Sequence, residues 1–291
     1  MEYDTTWPRA LRSYLQSHYG QCTTLLPLRG LSHNQIWDVT FPTTRLVIKA
    51  TPHASEERFY QIVAPCLGPA VPVLEWSHTE AALHWLVLEH IPHPLPRERW
   101  LADPAALAIL YRLHHADLPP ISVPLFHPAW SDAMTEHALA YLSSADQMNL
   151  RSHLRSIQDQ AQPLFHPHCW ISGDPNPRNW GMRSNGAVVL YDWERLGRGT
   201  PALDLAITIP GLGDWPAFAL VAKRYLAIAD DPHIHAHSIL QLTREIALAK
   251  VWNVVEFLSH AATGQLADPS GLPSLIQRLP PWIEQVSTRI A

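Results

Sequence analysis

Lysine is almost missing from this chain: of 21 basic residues only Lys49, Lys223 and Lys250 carry an ammonium, and the other 18 are arginine. Cysteine is equally scarce, and Cys22, Cys66 and Cys169 are odd in number and scattered. That excludes a disulfide framework and a zinc ribbon and fits a reducing compartment. No run of about 18 uninterrupted apolar residues occurs, so no membrane-spanning helix is expected. The start, Met1-Glu2-Tyr3-Asp4, lacks the basic-then-apolar order of a secretory leader, and the expectation is a cytoplasmic protein. A basic excess is lacking as well. A net charge of -5 and a pI near 6.4 argue against nucleic acid or an anionic membrane as partner. With 47% apolar and only 16% charged residues over 291 positions, disorder is excluded as the main state, and one large or two modest cores can be built.

What is present falls into two stretches of different character. Trp7, Leu11, Tyr14 and Leu15 are spaced for one face of a helix over 6–20. Short runs with β-branched or aromatic residues over 23–28, 35–41 and 45–50, parted by Arg29-Gly30 and Pro42-Thr43-Thr44, predict three antiparallel strands. A helix over 55–64 and strands over 71–76 and 83–91 complete a small α+β unit of residues 1–91. Pro92-His93-Pro94-Leu95-Pro96 then reads as a linker, because proline suits neither a helix interior nor a central strand. The remainder, 92–291, is mostly helical, with helices predicted over 105–115 behind Asp103 and Pro104, and over 131–143, 148–160, 216–229, 239–260 and 281–290. The exception lies between Cys169 and Asp192, which reads as strand, polar loop, strand.

That exception carries the chemistry. Ile171-Ser172-Gly173-Asp174-Pro175-Asn176-Pro177-Arg178-Asn179-Trp180 is followed by Val188-Val189-Leu190-Tyr191-Asp192-Trp193-Glu194. It offers a carboxylate, an amide five residues later and a second carboxylate ending a strand. Phosphoryl transfer needs those parts: one carboxylate orients the attacking hydroxyl and accepts its proton, while an Asn and another carboxylate hold magnesium against the nucleotide phosphates. Each part alone has a plainer reading, Asp174 as a turn residue before Pro175 and Asp192 as the start of an Asx-turn.

Taken together, the ordered motifs resemble the aminoglycoside phosphotransferase and choline kinase superfamily, relatives of the protein kinases. The family pattern is His-Gly-Asp, four residues, Asn, a strand ending in Asp-Trp-Glu, then Asp-Leu-Ala. This chain has Ser172-Gly173-Asp174, Asn179, Asp192-Trp193-Glu194 and Asp204-Leu205-Ala206 in that order. The resemblance implies a two-lobed α+β protein-kinase-like fold, with 1–91 as nucleotide-binding lobe and 92–291 as catalytic and substrate-binding lobe. It implies transfer of the ATP γ-phosphoryl group to a hydroxyl of a small acceptor, with Asp174 as catalytic residue and Asn179 and Asp192 as Mg2+ ligands. Gly30-Leu31-Ser32-His33-Asn34-Gln35-Ile36-Trp37 looks like the nucleotide loop, through Ser32 and Asn34. Lys49 stands where the family keeps its phosphate-binding lysine, and Glu56 and Glu57 compete to hold it, with Glu57 preferred. Backbone groups from Glu89 to Ile91 would bond adenine, and Asp204 would brace the loop. Ser172 replaces the family's His, which weakens loop orientation without deleting a reactive group.

Two rivals and one open question accompany this reading. His233-Ile234-His235-Ala236-His237 and His166-Pro167-His168-Cys169 could suggest a zinc-dependent hydrolase, but alternating His would splay around a helix. A nucleotide-binding pseudokinase or scaffold is the other, against which stands the joint presence of Lys49, Asp174, Asn179 and Asp192. The acceptor is open among choline-like, amino sugar and antibiotic molecules. Trp252 and Glu256, with Asn253 beside them, could suit a cationic one; the plainer reading makes Trp252 core.

Overall fold

Period-two alternation organises the first part of the fold and capped helices the second. A computed structural model of the chain describes residues 4, 6–28, 34–119, 121–229, 236–265 and 271–290. In chain order the elements are α1 (Arg9–Tyr19), β1 (Thr24–Leu28), β2 (Gln35–Thr40), β3 (Arg45–Thr51), α2 (Ala54–Arg58), α3 (Ala64–Leu67), β4 (Leu74–Glu80), β5 (Leu83–Glu89) and β6 (His93–Pro94). Then follow α4 (Pro104–His114), α5 (Asp132–Leu139), α6 (Ser144–Ala161), β7 (Cys169–Ile171), β8 (Trp180–Met182), β9 (Val188–Leu190), β10 (Gly197–Gly199), α7 (Pro201–Ile207), α8 (Trp215–Leu226), α9 (Ala236–Ala262) and α10 (Leu272–Ile290). The fold is α+β. Two compact units emerge, one of Met1–Pro94, Leu118–Pro124 and Gly181–Glu194, the other of Leu95–Asp117, Leu125–Trp180 and Arg195–Ala291.

In the first unit β1-β2-β3-β5-β4 form one antiparallel sheet. Leu46, Ile48 and Ala50 of β3 alternate into a core with Trp37, Val39, Trp85 and Val87, closed by Trp7, Leu11 and Leu15. Trp37 stacks on Trp85 at 5.9 Å, and Trp7 meets Trp37 edge-on at 5.3 Å. Lys49, paired with Ile36 and Leu86 in the ladder, therefore leaves the sheet on the side away from Ile48. The strand predicted over 71–76 is displaced to Leu74–Glu80. Pro72 has no donor, and the Val73 N–H bonds the Glu89 carboxylate at 3.1 Å instead of a neighbouring strand. The helix predicted over 55–64 widens into a π-type turn at Phe59–Val63 before Pro65, which cannot donate to the Gln61 carbonyl.

The second unit is built of capped helices. Asp103 accepts the N–H groups of Ala105 and Ala106, both at 3.0 Å, and starts α4 as expected. Ser143 caps α6 through the Asp146 N–H, so that helix begins well ahead of 148. Asp214 caps α8 in the same way. Long α9 buries Ile246, Val251, Trp252, Val255 and Leu258. α10 begins at Leu272 rather than at Pro281, with Pro280 and Pro281 inside it. Two missing N–H groups cost backbone bonds there, yet Leu279, Trp282, Ile283, Val286 and Ile290 bury one apolar face that keeps the helix whole. Among the described residues no helix is long and apolar enough to cross a membrane.

Lys250 of α9 is fully enclosed, and its Nζ donates to the carbonyls of Ala206 at 3.2 Å and Ile209 at 2.7 Å, at the C-terminal end of α7. An uncharged amine has two N–H groups for these two acceptors, and burial pushes the Lys250 pKa down to about 7. The unfolded chain holds that proton up to roughly pH 10.4, so it binds more protons than the folded state above neutrality, and stability must rise with pH in this window. From pH 7 to 9 the wild-type protein should gain stability in urea, by at most about 1.4 kcal/mol per pH unit from this group. Lys250→Met should lack that gain. Equal pH slopes for the two proteins would refute the assignment.

Candidate active site

A buried ammonium organises the polar side of the first unit. Lys49, 4% exposed, points from β3 at three carboxylates: Glu56 Oε2 at 2.7 Å, Asp192 Oδ1 at 2.6 Å and Glu194 Oε2 at 3.8 Å. Burial alone would lower its pKa, but the three negative charges outweigh it and the ammonium is held firmly protonated. Glu56 is raised, first by its complete burial and then by Asp192 and Glu194, against the pull of Lys49. Oxygens of Glu56, Asp192 and Glu194 all lie within 4.8 Å of one another, a donor set of hard oxygens. One ammonium against three carboxylates leaves the cluster two charges negative when all are ionised. Among the described residues no histidine or cysteine joins such a group.

Local structure explains how the carboxylates arrive. Asp192 has φ 68, left-handed backbone that Asp tolerates better than most residues. Next to it Trp193 is fully buried and stacks on Phe59 at 3.8 Å with rings 9° from parallel. Phe59 follows the short helix that carries Glu56, so one aromatic stack ties both carboxylate-bearing segments together. Ser55 Oγ donates to the Glu194 carbonyl at 3.0 Å, and Asn34 Nδ2 donates to the Glu194 carboxylate.

The preference for Glu57 as partner of Lys49 is corrected: Glu56 holds it. Glu57 instead meets His84 at 2.7 Å, because successive helix positions point about 100° apart and the buried one faces β3. Burial raises the Glu89 pKa, but Arg183, which binds its oxygens at 2.7 and 2.6 Å, and the Val73 N–H together bring it below the usual carboxylate value. The Glu89 N–H donates to the Val73 carbonyl at 2.9 Å. Ile91 packs its Cγ2 over Gly181. Ser32 and Gly30 lie outside the described residues, as do His233 and His235.

In the second unit the loop after β7 turns at Gly173, whose φ is +78. Asp174 follows, and its Oδ1 accepts the Asn176 side-chain amide at 2.9 Å. Asn179 Nδ2 donates to the Asp174 carbonyl at 2.9 Å and to its Oδ2 at 3.3 Å, which turns Asn179 Oδ1, the atom a hard cation would use, the other way. Asp204 at the start of α7 is wholly buried and accepts the N–H groups of Ser172 at 2.7 Å and Gly173 at 2.9 Å. His114 Nε2 lies 3.1 Å from the same carboxylate. In the sequence His114 had no role beyond lying within the helix predicted over 105–115. Sequence reasoning also left Glu194 without a role, although its spacing from Asp192 was visible.

The aromatic and acidic pair of α9 is already engaged. Trp252 is 1% exposed and donates to the Ala129 carbonyl at 2.9 Å. Both oxygens of Glu256 accept Arg195 Nη2 at 2.8 Å, and the Arg195 guanidinium lies 4.1 Å over the Phe126 ring. Trp252 is therefore core, and the cation beside Glu256 is the protein's own.

Residues 24–237 match the family model described as the phosphotransferase enzyme family. No curated protein sequence matches the chain. Among solved structures it is similar to a thermostable mutant of aminoglycoside phosphotransferase APH(4)-Ia in ternary complex with ADP and hygromycin B, with TM-score 0.57 and 11% identity over 96% of this chain and 98% of that one. It is similar to spectinomycin phosphotransferase APH(9)-Ia in complex with ADP and spectinomycin, at 0.57 and 12% over 98% and 100%. A Plasmodium vivax ethanolamine kinase matches at 0.55 and 15%, over 95% and 85%.

Gly173 has no room for a side chain. A Cβ there would come within 2.2 Å of the Arg195 carbonyl oxygen, in a conformation that L side chains rarely adopt. Gly173→Ala should cost at least about 2 kcal/mol in urea unfolding, from the left-handed backbone and the clash together. A change under about 0.5 kcal/mol, the range of a neutral surface substitution, would mean that the turn is not built this way.

Proposed function

The chain belongs to the phosphotransferase enzyme family, and on that premise we propose that it transfers the γ-phosphoryl group of ATP to a hydroxyl of a small molecule. The observation that carries the reading is the buried Lys49 with Glu56 at 2.7 Å and Asp192 at 2.6 Å. A protein gains nothing for stability by gathering three carboxylates around one ammonium, since two like charges remain unpaired. The cluster makes sense where a polyphosphate and a cation are handled, the ammonium to meet phosphate oxygens and the surplus negative charge to meet a divalent ion.

In this reading Lys49 positions the nucleotide phosphates while Glu56 holds its ammonium. Asp192 and the Oδ1 of Asn179 hold magnesium, whose contribution when bound is to neutralise the charge that develops on the transferred group. Both would offer oxygen atoms, and the surplus negative charge of Glu56, Asp192 and Glu194 suits a divalent ion. Asp174 orients the acceptor hydroxyl and takes its proton as the new phosphate ester forms. Asn34, Ser32 and the backbone near Glu89 to Ile91 bind the nucleotide. Within that last segment the Glu89 N–H is already used, which leaves His90 and Ile91 to meet the base. Two of the similar solved structures are complexes with hygromycin B and with spectinomycin, and the third is by name an ethanolamine kinase. With Glu256 paired to Arg195, the Trp252 and Glu256 pair gives no preference for a cationic acceptor.

A screen of hydroxyl acceptors coupled to ADP release tests the activity, and absence of turnover with nucleotide still bound would favour the scaffold reading. Asp174→Asn should keep nucleotide affinity within about twofold while turnover drops by roughly 10² to 10⁴, the usual share of a general base. Asp192→Ala should weaken nucleotide binding only when magnesium is present, read by calorimetry with and without the ion. Undiminished turnover in the first variant, or unchanged magnesium dependence in the second, refutes the corresponding role.

A further inference from the structure

Ser172 stands where the family pattern has an imidazole, and it is fully buried with its Oγ unpartnered. An imidazole is nevertheless bonded behind this same loop, supplied from elsewhere. His114, in the last turn of α4, places Nε2 3.1 Å from Asp204 Oδ2, the oxygen that also accepts the Ser172 N–H at 2.7 Å. On its other side, His114 Nδ1 lies 2.7 Å from the Tyr225 hydroxyl of α8. His114, Asp204 and Tyr225 are 6%, 0% and 4% exposed, so water does not substitute for any of these bonds.

One assignment of protons satisfies all of them. A carboxylate that already accepts two backbone N–H groups has no proton to give, so Nε2 of His114 carries the hydrogen and donates to Asp204. In the neutral ring Nδ1 is then an acceptor, and the Tyr225 O–H donates to it. Burial raises the Tyr225 pKa above the ordinary phenol value, which keeps that proton on the phenol. Asp204 has no arginine or lysine beside it among the described residues, and His114 is the one side chain that bonds its carboxylate there. Its negative charge in a dry site rests on three donors, two of which are the amides of the loop.

We infer that His114 is a positioning residue for phosphoryl transfer: it fixes the Asp204 carboxylate, which pins Ser172 and Gly173 and so sets the direction of the adjoining Asp174, while the Tyr225 hydroxyl bonds its other ring nitrogen. His114 thereby does from α4 what the missing imidazole at position 172 would do from within the loop. The inference rests on the reading of Asp174 as the group that orients the acceptor. Gly173 explains why bracing is needed. Its left-handed conformation leaves the loop free to relax once the carboxylate shifts, and a misplacement near 1 Å can cost about a hundredfold in rate.

The test combines hydrogen exchange with steady-state kinetics on the full chain. His114→Phe should speed exchange at the Ser172 and Gly173 amides by about tenfold or more, as a lost brace opens the loop locally. Its kcat should fall by about 10- to 100-fold while the nucleotide KM changes by less than about twofold. His114→Gln, which keeps an N–H donor, should recover most of both losses. In wild-type protein the imidazole nitrogens should give the NMR shifts of the Nε2–H tautomer, and Tyr225→Phe should alter them. Unchanged amide exchange in a folded His114→Phe, or a wild-type imidazole protonated on Nδ1, overturns the inference; so does a kcat loss that His114→Gln leaves in place. Should His114→Phe not fold, exchange in Tyr225→Phe and the wild-type tautomer decide in its stead. If the wild-type protein transfers no phosphoryl group, the exchange and tautomer results still judge the brace, and only the proposed reaction fails.

Discussion

One ammonium that water scarcely reaches dictates the composition of everything around it. A lone charge so buried costs several kcal/mol, and Lys49 is tolerable only because Glu56 and Asp192 stand within 2.7 Å. Each such pair, at an effective dielectric near 20, contributes an attraction of about 6 kcal/mol. Neutrality requires only one of the three carboxylates, and the third, Glu194, is held by Asn34. The resulting surplus is maintained by packing, through the Phe59 and Trp193 stack and the left-handed turn at Asp192. Apolar contact thus supports an electrostatic arrangement that would otherwise fly apart.

The second unit solves the opposite problem, a buried anion. Asp204 is surrounded by donors, none of them a full cation by necessity, and two of them belong to the loop that carries Asp174. Lys250 closes the far end of the same helix by bonding its last carbonyls. α7 is short, yet His114 of α4 bonds its Asp204 and Lys250 of α9 bonds the carbonyls at its C-terminal end. That is how a segment of seven residues can serve as a rigid support.

The parts legible in the sequence are those governed by local rules. Alternation gave β2, β3 and β5 to within a residue or two, and Asp103 marked the start of α4. The order of Asp174, Asn179, Asp192 and Asp204 was enough to point to the family that the model match bears out. Glu56 and Glu57 could not be separated, because the rotation of a short helix is set by what Phe59 packs against, 134 positions further along the chain at Trp193. His114 and Asp204 are 90 residues apart, and no spacing rule links them. Trp252 with Glu256 looked like a cradle for a cation until Arg195, from another part of the chain, filled the role. The start of α10 was hidden by Pro280 and Pro281, since local preference there loses to a buried face.

The β8 and β9 hairpin belongs to the first unit although it follows the loop of the second. β8 pairs with β6, and Arg183 binds Glu89 and the carbonyls of Pro69 and Val71. The unit that houses Lys49 is therefore discontinuous in the gene. A fragment ending at Pro94 would carry Lys49 and Glu56 but leave Asp192 and Glu194 behind. Recombination between relatives could exchange this unit only through paired crossovers that bring the hairpin along, so in inheritance the chain behaves as a single module.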